Sequence, residues 1–235
     1  LYAQRRVIAA RMIDPVNEVA DATDTGVLPV SQPMHFTLRL APTPERQAAL
    51  DQLLSEQRTP SSASYHHWLT PQQFAATYGA TDEQITATTA WLQSQGLTVD
   101  EISKTKTRLS ASGTADQVQR AFAVSLHAYS VSGTQRYASA DQPTMPQEVS
   151  SSIAEISGLD DLPPSAKTRV AVTSANGLTT LIPTDGTNAL DAAAAAVDAN
   201  TSPILSLTMS DCSGSLTQAD YEAYRALFRQ ASSQG

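Results

Sequence analysis

Two adjacent prolines, Pro163-Pro164, lie inside the run Asp160 to Arg169. Neither a helix nor a paired strand passes through such a dipeptide, which favours an extended chain. Residues 162–169 therefore read as a linker, and the chain must be assembled from two stretches with different patterns.

The upstream stretch is rich in short elements. Residues 1–33 are a mixed, polar N-terminal extension with a turn signal at Asp24-Thr25-Gly26. Met34, Phe36, Leu38 and Leu40 then alternate with His35, Thr37 and Arg39, the period of a half-buried strand that leaves His35 exposed. Thr43 and Pro44 start a helix with Ala49, Leu50, Leu53 and Leu54 as its apolar stripe. A second helix is predicted from Asp82 to Gln95. Thr81 and Gln84 would cap it, Gly96 would end it, and Ile85, Trp91 and Leu92 would face inward. Strands at 97–102 and 105–112 follow. Thr114 and Gln117 open a third helix that buries Val118, Ala121 and Phe122. A strand at 124–131, a turn at Gly133 and a closing unit from Pro146 to Leu159 complete the stretch. This order predicts an α+β domain over residues 34–161, a ferredoxin-like split β-α-β-β-α-β unit with one antiparallel sheet.

Beyond the linker, Val170 to Thr173 is apolar and β-branched, and Gly186 to Asn200 is an alanine-rich helix. Pro203 to Met209 resembles a fully buried parallel strand, and Thr217 to Gln234 is a helix with Tyr221, Tyr224, Phe228 and Ala231 on one side. This β-α-β-α rhythm belongs to α/β sheets, yet two strands and two helices do not close one. Residues 170–235 therefore read as an incomplete α/β fragment.

Composition narrows the functional classes. The chain is 41% hydrophobic, enough for a core, and its formal net charge is −8, the wrong sign for a nucleic-acid partner. Only 16% of residues are charged, so acid disrupts few ion pairs, as expected of an acid-tolerant protein. The single cysteine, Cys212, permits no internal disulfide and no zinc cluster, and is expected to be a small buried hydrophobe. No apolar run reaches the ~20 residues of a membrane helix, so no membrane partner is expected. The first residue is Leu1, consistent with a leader already removed.

The string Ser64-Tyr65-His66-His67-Trp68-Leu69-Thr70-Pro71-Gln72-Gln73-Phe74 joins two aromatics, two imidazoles and a helix start. It resembles the signature of the activation domain of sedolisins, the serine-carboxyl peptidases that include kumamolisin. Tyr78-Gly79-Ala80-Thr81, Trp91-Leu92, Gly96-Leu97-Thr98-Val99, Ser112-Gly113-Thr114, His127-Ala128-Tyr129, Tyr137-Ala138-Ser139 and Gly158-Leu159-Asp160 extend the match in order. The resemblance makes Tyr65, His66, Trp68, Tyr78 and Gly79 the signature anchors. It also implies that the linker, with Leu162, Ser165, Lys167 and Arg169, threads a peptidase cleft and is cut on maturation. Residues 170–235 look like part of the family's subtilisin-like peptidase domain.

The departures bear on activity. Nothing here matches the family's Gly-Thr-Ser nucleophile segment, and no helix carries its paired Glu and Asp one turn apart. Asp191 is the nearest imitation, without a glutamate before it, and reads as an exposed helix residue. No catalytic residue is assigned for that reason, and no metal or cofactor ligand is assigned, because the resemblance puts the family's calcium site outside this chain. Tyr65 and Trp68 are expected to anchor a loop that His66 and His67 hydrogen-bond; the alternatives are a pH sensor, or a metal site short of a third ligand. Lys104, Lys106 and Arg108 read as a solvated edge. The resemblance thus implies a propeptide that inhibits and assists folding of a secreted or periplasmic acid-acting endopeptidase, with the cognate peptidase domain as partner in cis or in trans. An intact precursor whose catalytic residues lie outside this sequence, and a standalone binding module, are the alternatives.

Overall fold

The computed structural model describes residues 4–10, 12, 15–19, 21–162, 167–173, 179–182, 189–200, 202, 204–210 and 218–235. In chain order the elements are β1 (Arg5–Val7), β2 (Ala9–Ala10), α1 (Pro15–Glu18), β3 (Ala22–Val27), β4 (Pro33–Leu40), α2 (Pro44–Glu56), α3 (Pro71–Thr77) and α4 (Asp82–Ser94). There follow β5 (Thr98–Ile102), β6 (Arg108–Thr114), α5 (Ala115–Phe122), β7 (Leu126–Val131), β8 (Thr134–Ser139), β9 (Thr144–Pro146), α6 (Gln147–Ser150) and β10 (Ile153–Ser157). The last are β11 (Lys167–Thr173), β12 (Thr179–Ile182), α7 (Ala189–Ala199), β13 (Ile204–Ser210) and α8 (Gln218–Gln234). The fold is mixed α+β and divides into two compact units.

The first unit holds residues 1–41, 82–102 and 108–165. Its main sheet has the order β2-β10-β4-β6-β5. Within it β10, β4, β6 and β5 pair antiparallel, which is the strand order of a split β-α-β-β-α-β unit, and β2 adds in parallel beside β10. The alternation in β4 is realised: Met34, Phe36, Leu38 and Leu40 are buried while His35 is exposed. These side chains form one core with Leu92 of α4, Leu109 and Ala111 of β6, and Val118, Ala121 and Phe122 of α5. The Phe122 ring receives Phe36 edge-on at 5.2 Å and Trp91 at 5.6 Å. The predicted capping box on α5 is present. Gln117 N–H donates to Thr114 Oγ1 at 3.4 Å, and Thr114 N–H donates to Gln117 Oε1 at 2.8 Å.

Two expectations are corrected here. Residues 124–131 do not supply the fourth strand of the main sheet; β10 does. β7 instead sits between β3 and β8 in a separate antiparallel sheet. The reason is local. Ser132 and Gly133 both have positive φ, +48° and +79°, the turn geometry that returns a strand directly onto its neighbour. β3 then takes the other side of β7, so part of the supposed polar extension is structural. The described strands up to residue 157 accordingly make three sheets rather than one.

The second unit holds residues 42–81, 103–107 and 166–235. α2 is capped by Thr43, whose Oγ1 accepts from Arg46 N–H at 3.4 Å, and it buries Leu50 and Leu54 against Phe74 of α3. The downstream sheet has the order β12-β11-β13 and is antiparallel throughout. The expected buried parallel strand is thus incorrect. Among the described strands β13 pairs only with β11, and Ile204 at its start is exposed. A short return places β12 beside β11, so α7 has to carry the chain across β11 before β13 can pair. α7 packs on α8 through Leu190, Ala193 and Val197 against Ala223 and Leu227. This rotates α8 away from the expected stripe: Tyr221 and Phe228 are exposed, because small Ala193 and Ala223 permit close helix approach.

Leu109 is fully buried in the main sheet. Leu109→Ala is expected to lower unfolding free energy by about 2–5 kcal/mol, measured by urea denaturation.

Candidate functional site

The signature loop is built on the end of α2. His66 N–H donates to the Gln57 carbonyl at 3.2 Å, and Tyr65 N–H to that of Ser62 at 3.1 Å. His66 takes a left-handed backbone, φ +55°, which stacks its ring on Tyr65 at 3.8 Å and near Trp68 at 5.6 Å. This differs from the expected arrangement. Trp68 is 47% exposed and both histidines are exposed, so the aromatics form a surface stack rather than an anchor pressed on a sheet. The loop closes with a second capping box at α3, where Gln73 N–H donates to Thr70 Oγ1 at 3.2 Å and Thr70 N–H donates to Gln73 Oε1 at 2.8 Å.

Polar groups tie this loop to the last turn of α8. The Ser233 carbonyl of α8 receives Leu69 N–H at 2.8 Å and Gln57 Nε2 at 3.2 Å. Gln57 is almost wholly buried, and its Nε2 also donates to the His67 carbonyl at 2.6 Å. Gly235 follows the helix with φ +98°, and a Cβ there would come within 2.9 Å of Trp68 Cγ. Two turns earlier on α8, Arg229 Nε lies 3.0 Å from Asp51 Oδ1 on α2.

Tyr78 and Gly79 form the second half of the signature. Tyr78 N–H closes α3 on the Phe74 carbonyl at 2.7 Å, and its ring lies 5.9 Å from that of Phe74. Gly79 leaves no room for a side chain: a Cβ would overlap the Thr105 carbonyl oxygen and come within 2.9 Å of Lys106 Cβ. Its carbonyl accepts from Arg46 Nη1 at 2.7 Å, and Ala80 N–H donates to the Lys106 carbonyl at 3.0 Å.

The turn at residues 103–107 is therefore an inserted element: of the three basic residues expected at a solvated edge, Lys104 is exposed and Lys106 and Arg108 are half-buried, while residues between them point inward. Ser103 and Thr105 are buried. Thr105 Oγ1 donates to Asp198 Oδ1 of α7, which also accepts from Gln230 Nε2 of α8 at 2.8 Å.

In the first unit, the segment Gly158–Leu162 is pinned to β8. Tyr137 N–H donates to Asp161 Oδ1 at 2.5 Å, Asp161 N–H donates back to the Tyr137 carbonyl at 3.1 Å, and the Tyr137 hydroxyl donates to the Gly158 carbonyl at 3.3 Å. Arg136 Nη1 lies 3.8 Å from Asp161 Oδ2. Burial raises the Asp161 carboxyl above its ordinary range, against the lowering pull of the Tyr137 N–H and Arg136. Burial, then the carboxylates of Asp161 and Asp160, pushes Tyr137 up to about 12.

The structure places the sequence-derived candidates as follows. Leu162 is buried with Tyr129, Val131 and Ala138, so it packs into the first unit instead of starting a tether. Lys167 and Arg169 lie in β11, paired with Ser210 and Thr208 of β13. Ser165 and Cys212 lie outside the described residues. Asp191, on α7, is half-buried rather than exposed. Among the described residues no cluster of three or more His, Cys, Asp or Glu is arranged to hold a metal. Gln57, Asp51, Arg229 and Asp161 were not singled out from sequence; a polar residue just past a helix end or on its exposed face carries no pattern that separates it from its neighbours.

The family model for the pro-kumamolisin activation domain matches residues 20–162. The chain belongs to the pro-kumamolisin activation-domain family. The resemblance to sedolisin precursors is thereby borne out. Xanthomonalisin from Xanthomonas sp. (strain T-22) is 30% identical over 142 residues, covering 60% of this chain. The chain spans 17% of the length of that relative. The matched region contains every signature anchor and ends at Leu162, the buried residue that completes the β3-β7-β8 core.

Two expected outcomes follow from this activation-domain geometry. Gly79→Ala should cost about 1–3 kcal/mol, because backbone must move to admit the methyl, and urea unfolding measures it. A carboxyl with a raised folded-state pKa stabilises most when protonated, and that contribution is lost as pH rises through the raised value. Comparing urea midpoints at acid and neutral pH, the parent should therefore gain on Asp161→Asn as pH falls. A difference between the two proteins that stays constant with pH would remove the assignment.

Proposed function

We propose that this chain acts as the propeptide of a secreted, acid-acting serine-carboxyl endopeptidase, inhibiting it, assisting its folding, and leaving by proteolytic maturation. The observation that carries this reading is the composition of the second unit. Residues 42–81 and 103–107, from the family-matched region, share a fold with residues 166–235, which lie beyond it. Activation-domain side chains thus complete hydrogen bonds and packing that the downstream segment does not supply for itself.

Two properties suit the role. The apposition is rich in backbone and amide hydrogen bonds, which orient a partner without demanding a large apolar interface. Acidification weakens the local hydrogen bonding of α2, and release in acid is part of the proposal. Glu45 is held below its ordinary pKa by its own N–H and the Thr43 hydroxyl, and Glu56 by Gln52 and then Ser64. For such groups the stabilisation is present at neutral pH and is lost as pH falls through the lowered value. The maturation segment would be Leu162 to Arg169, with Ser165, Lys167 and Arg169 beyond the pinned residues. No helix among the described residues is long and apolar enough to cross a membrane. An extracellular or periplasmic site of action is part of the proposal.

The test adds the purified chain to a mature sedolisin-type peptidase and follows peptide hydrolysis. Hydrolysis should slow at neutral pH, with weaker inhibition at about pH 4. No slowing in excess propeptide would overturn the reading. Equal affinity at both pH values would remove acid release alone.

A further inference from the structure

We infer that the edge formed by β9, β10 and the end of α5 is a strand receptor, that residues 4–10 are its ligand, and that seating of this arm keeps the first unit competent as a propeptide. The last step rests on the propeptide reading. Residues 4–10 precede the family-matched region, which begins at residue 20. They nevertheless make the contacts of a bound extended peptide. β1 pairs antiparallel with β9, with Arg5, Arg6 and Val7 opposite Pro146, Met145 and Thr144. The ladder is extended at both ends. Gln147 N–H donates to the Gln4 carbonyl, and Ile8 N–H to the Pro143 carbonyl, each at 2.8 Å. Ala9 and Ala10 then lie in parallel beside Glu155 and Ile156 of β10. Among the described strands β9 pairs only with β1, and β2 covers the outer edge of β10.

Two side chains make the seat selective. Arg5 Nε donates to Thr144 Oγ1 at 2.9 Å, and its Nη2 donates to the carbonyls of Ala121 at 2.6 Å and Thr144 at 2.5 Å. Ala121 lies in the last turn of α5, where the helix dipole favours a guanidinium. Thr144 Oγ1 in turn donates at 3.5 Å to the carbonyl of Phe122, whose ring receives Phe36 and Trp91. Ile8 is 3% exposed, whereas Val7 beside it is 53% exposed. The ligand class is therefore an extended segment with an arginine and, three positions on, a buried aliphatic residue. Displacing the arm removes the strand partner of β9 and uncovers the edge of β10 together, a point of control separate from the linker.

The experiment compares the full chain with Arg5→Ala and with Arg6→Ala, a control whose side chain is exposed. Exchange of the Gln147 amide should quicken roughly tenfold or more in Arg5→Ala and stay at the parent rate in Arg6→Ala. Inhibition of a mature sedolisin-type peptidase should weaken in Arg5→Ala alone. Excess synthetic peptide with the sequence of residues 1–11 should return slow exchange and inhibition to Arg5→Ala, which separates an empty seat from general unfolding. The same peptide carrying Ile8→Asp should not. Exchange that ignores Arg5, or that answers equally to Arg6, would overturn the inference. So would a peptide that does not rescue, an Ile8→Asp peptide that does, or undiminished inhibition by Arg5→Ala. Should the exchange and rescue patterns appear while the parent inhibits no peptidase, the propeptide role fails and the strand receptor stands.

Discussion

Burial of one face of β4 is the constraint on which the first unit depends. Met34, Phe36, Leu38 and Leu40 all point to the same side, and each is nearly or fully removed from water. A one-residue slip in pairing would exchange them for His35, Thr37 and Arg39, so the register with β6 is strongly specified. Phe122 then fills the space above Phe36, and Trp91 closes on its edge. The polar partner of this arrangement is Arg39, which donates to Glu155 Oε2 at 3.1 and 2.8 Å from the neighbouring strand. That pair helps explain why β10, and no other strand, lies beside β4: its Glu155 meets Arg39 in register.

The elements visible in the sequence were those with a strong period or a cap. β4, α2, α4, α5 and α8 fall within a few residues of where alternation, Thr43, Gly96 and Thr114 put them. Pairing was less legible. A six-residue strand such as Leu126–Val131, with polar His127 and Ser130 among its apolar residues, fits several sheets equally, and the Ser132-Gly133 turn and the arrival of β3 decide among them. The face of α8 was misjudged because aromatic residues outweigh alanine in a hydrophobic count, although alanine permits the closest helix contact. Tyr65, His66, Trp68, Tyr78 and Gly79 were picked out by type and order. Their partners were not, since Gln57, Asp51 and Ser233 are ordinary polar residues until folding brings them together.

Opposed titrations run through the molecule. Glu45 and Glu56, held ionised by hydrogen bonds, weaken their contribution as protons are added, while Asp161, raised by burial, strengthens its own. The groups that loosen in acid lie in the helical segment of the second unit. The group that tightens lies where the first unit ends. Acidification therefore leaves the clip on the exit segment secure while it erodes charges on α2.

The second unit also imposes an order on biosynthesis. Helices α2 and α3 leave the ribosome long before α8, whose Ser233 bonds to Gln57 across 176 positions. Until then α2 and α3 can pack on one another through Leu50, Leu54 and Phe74, but the face that α8 covers stays open. Such a long-range dependence slows folding and leaves sticky surface uncovered in the interim, a window in which holdase chaperones would be most useful.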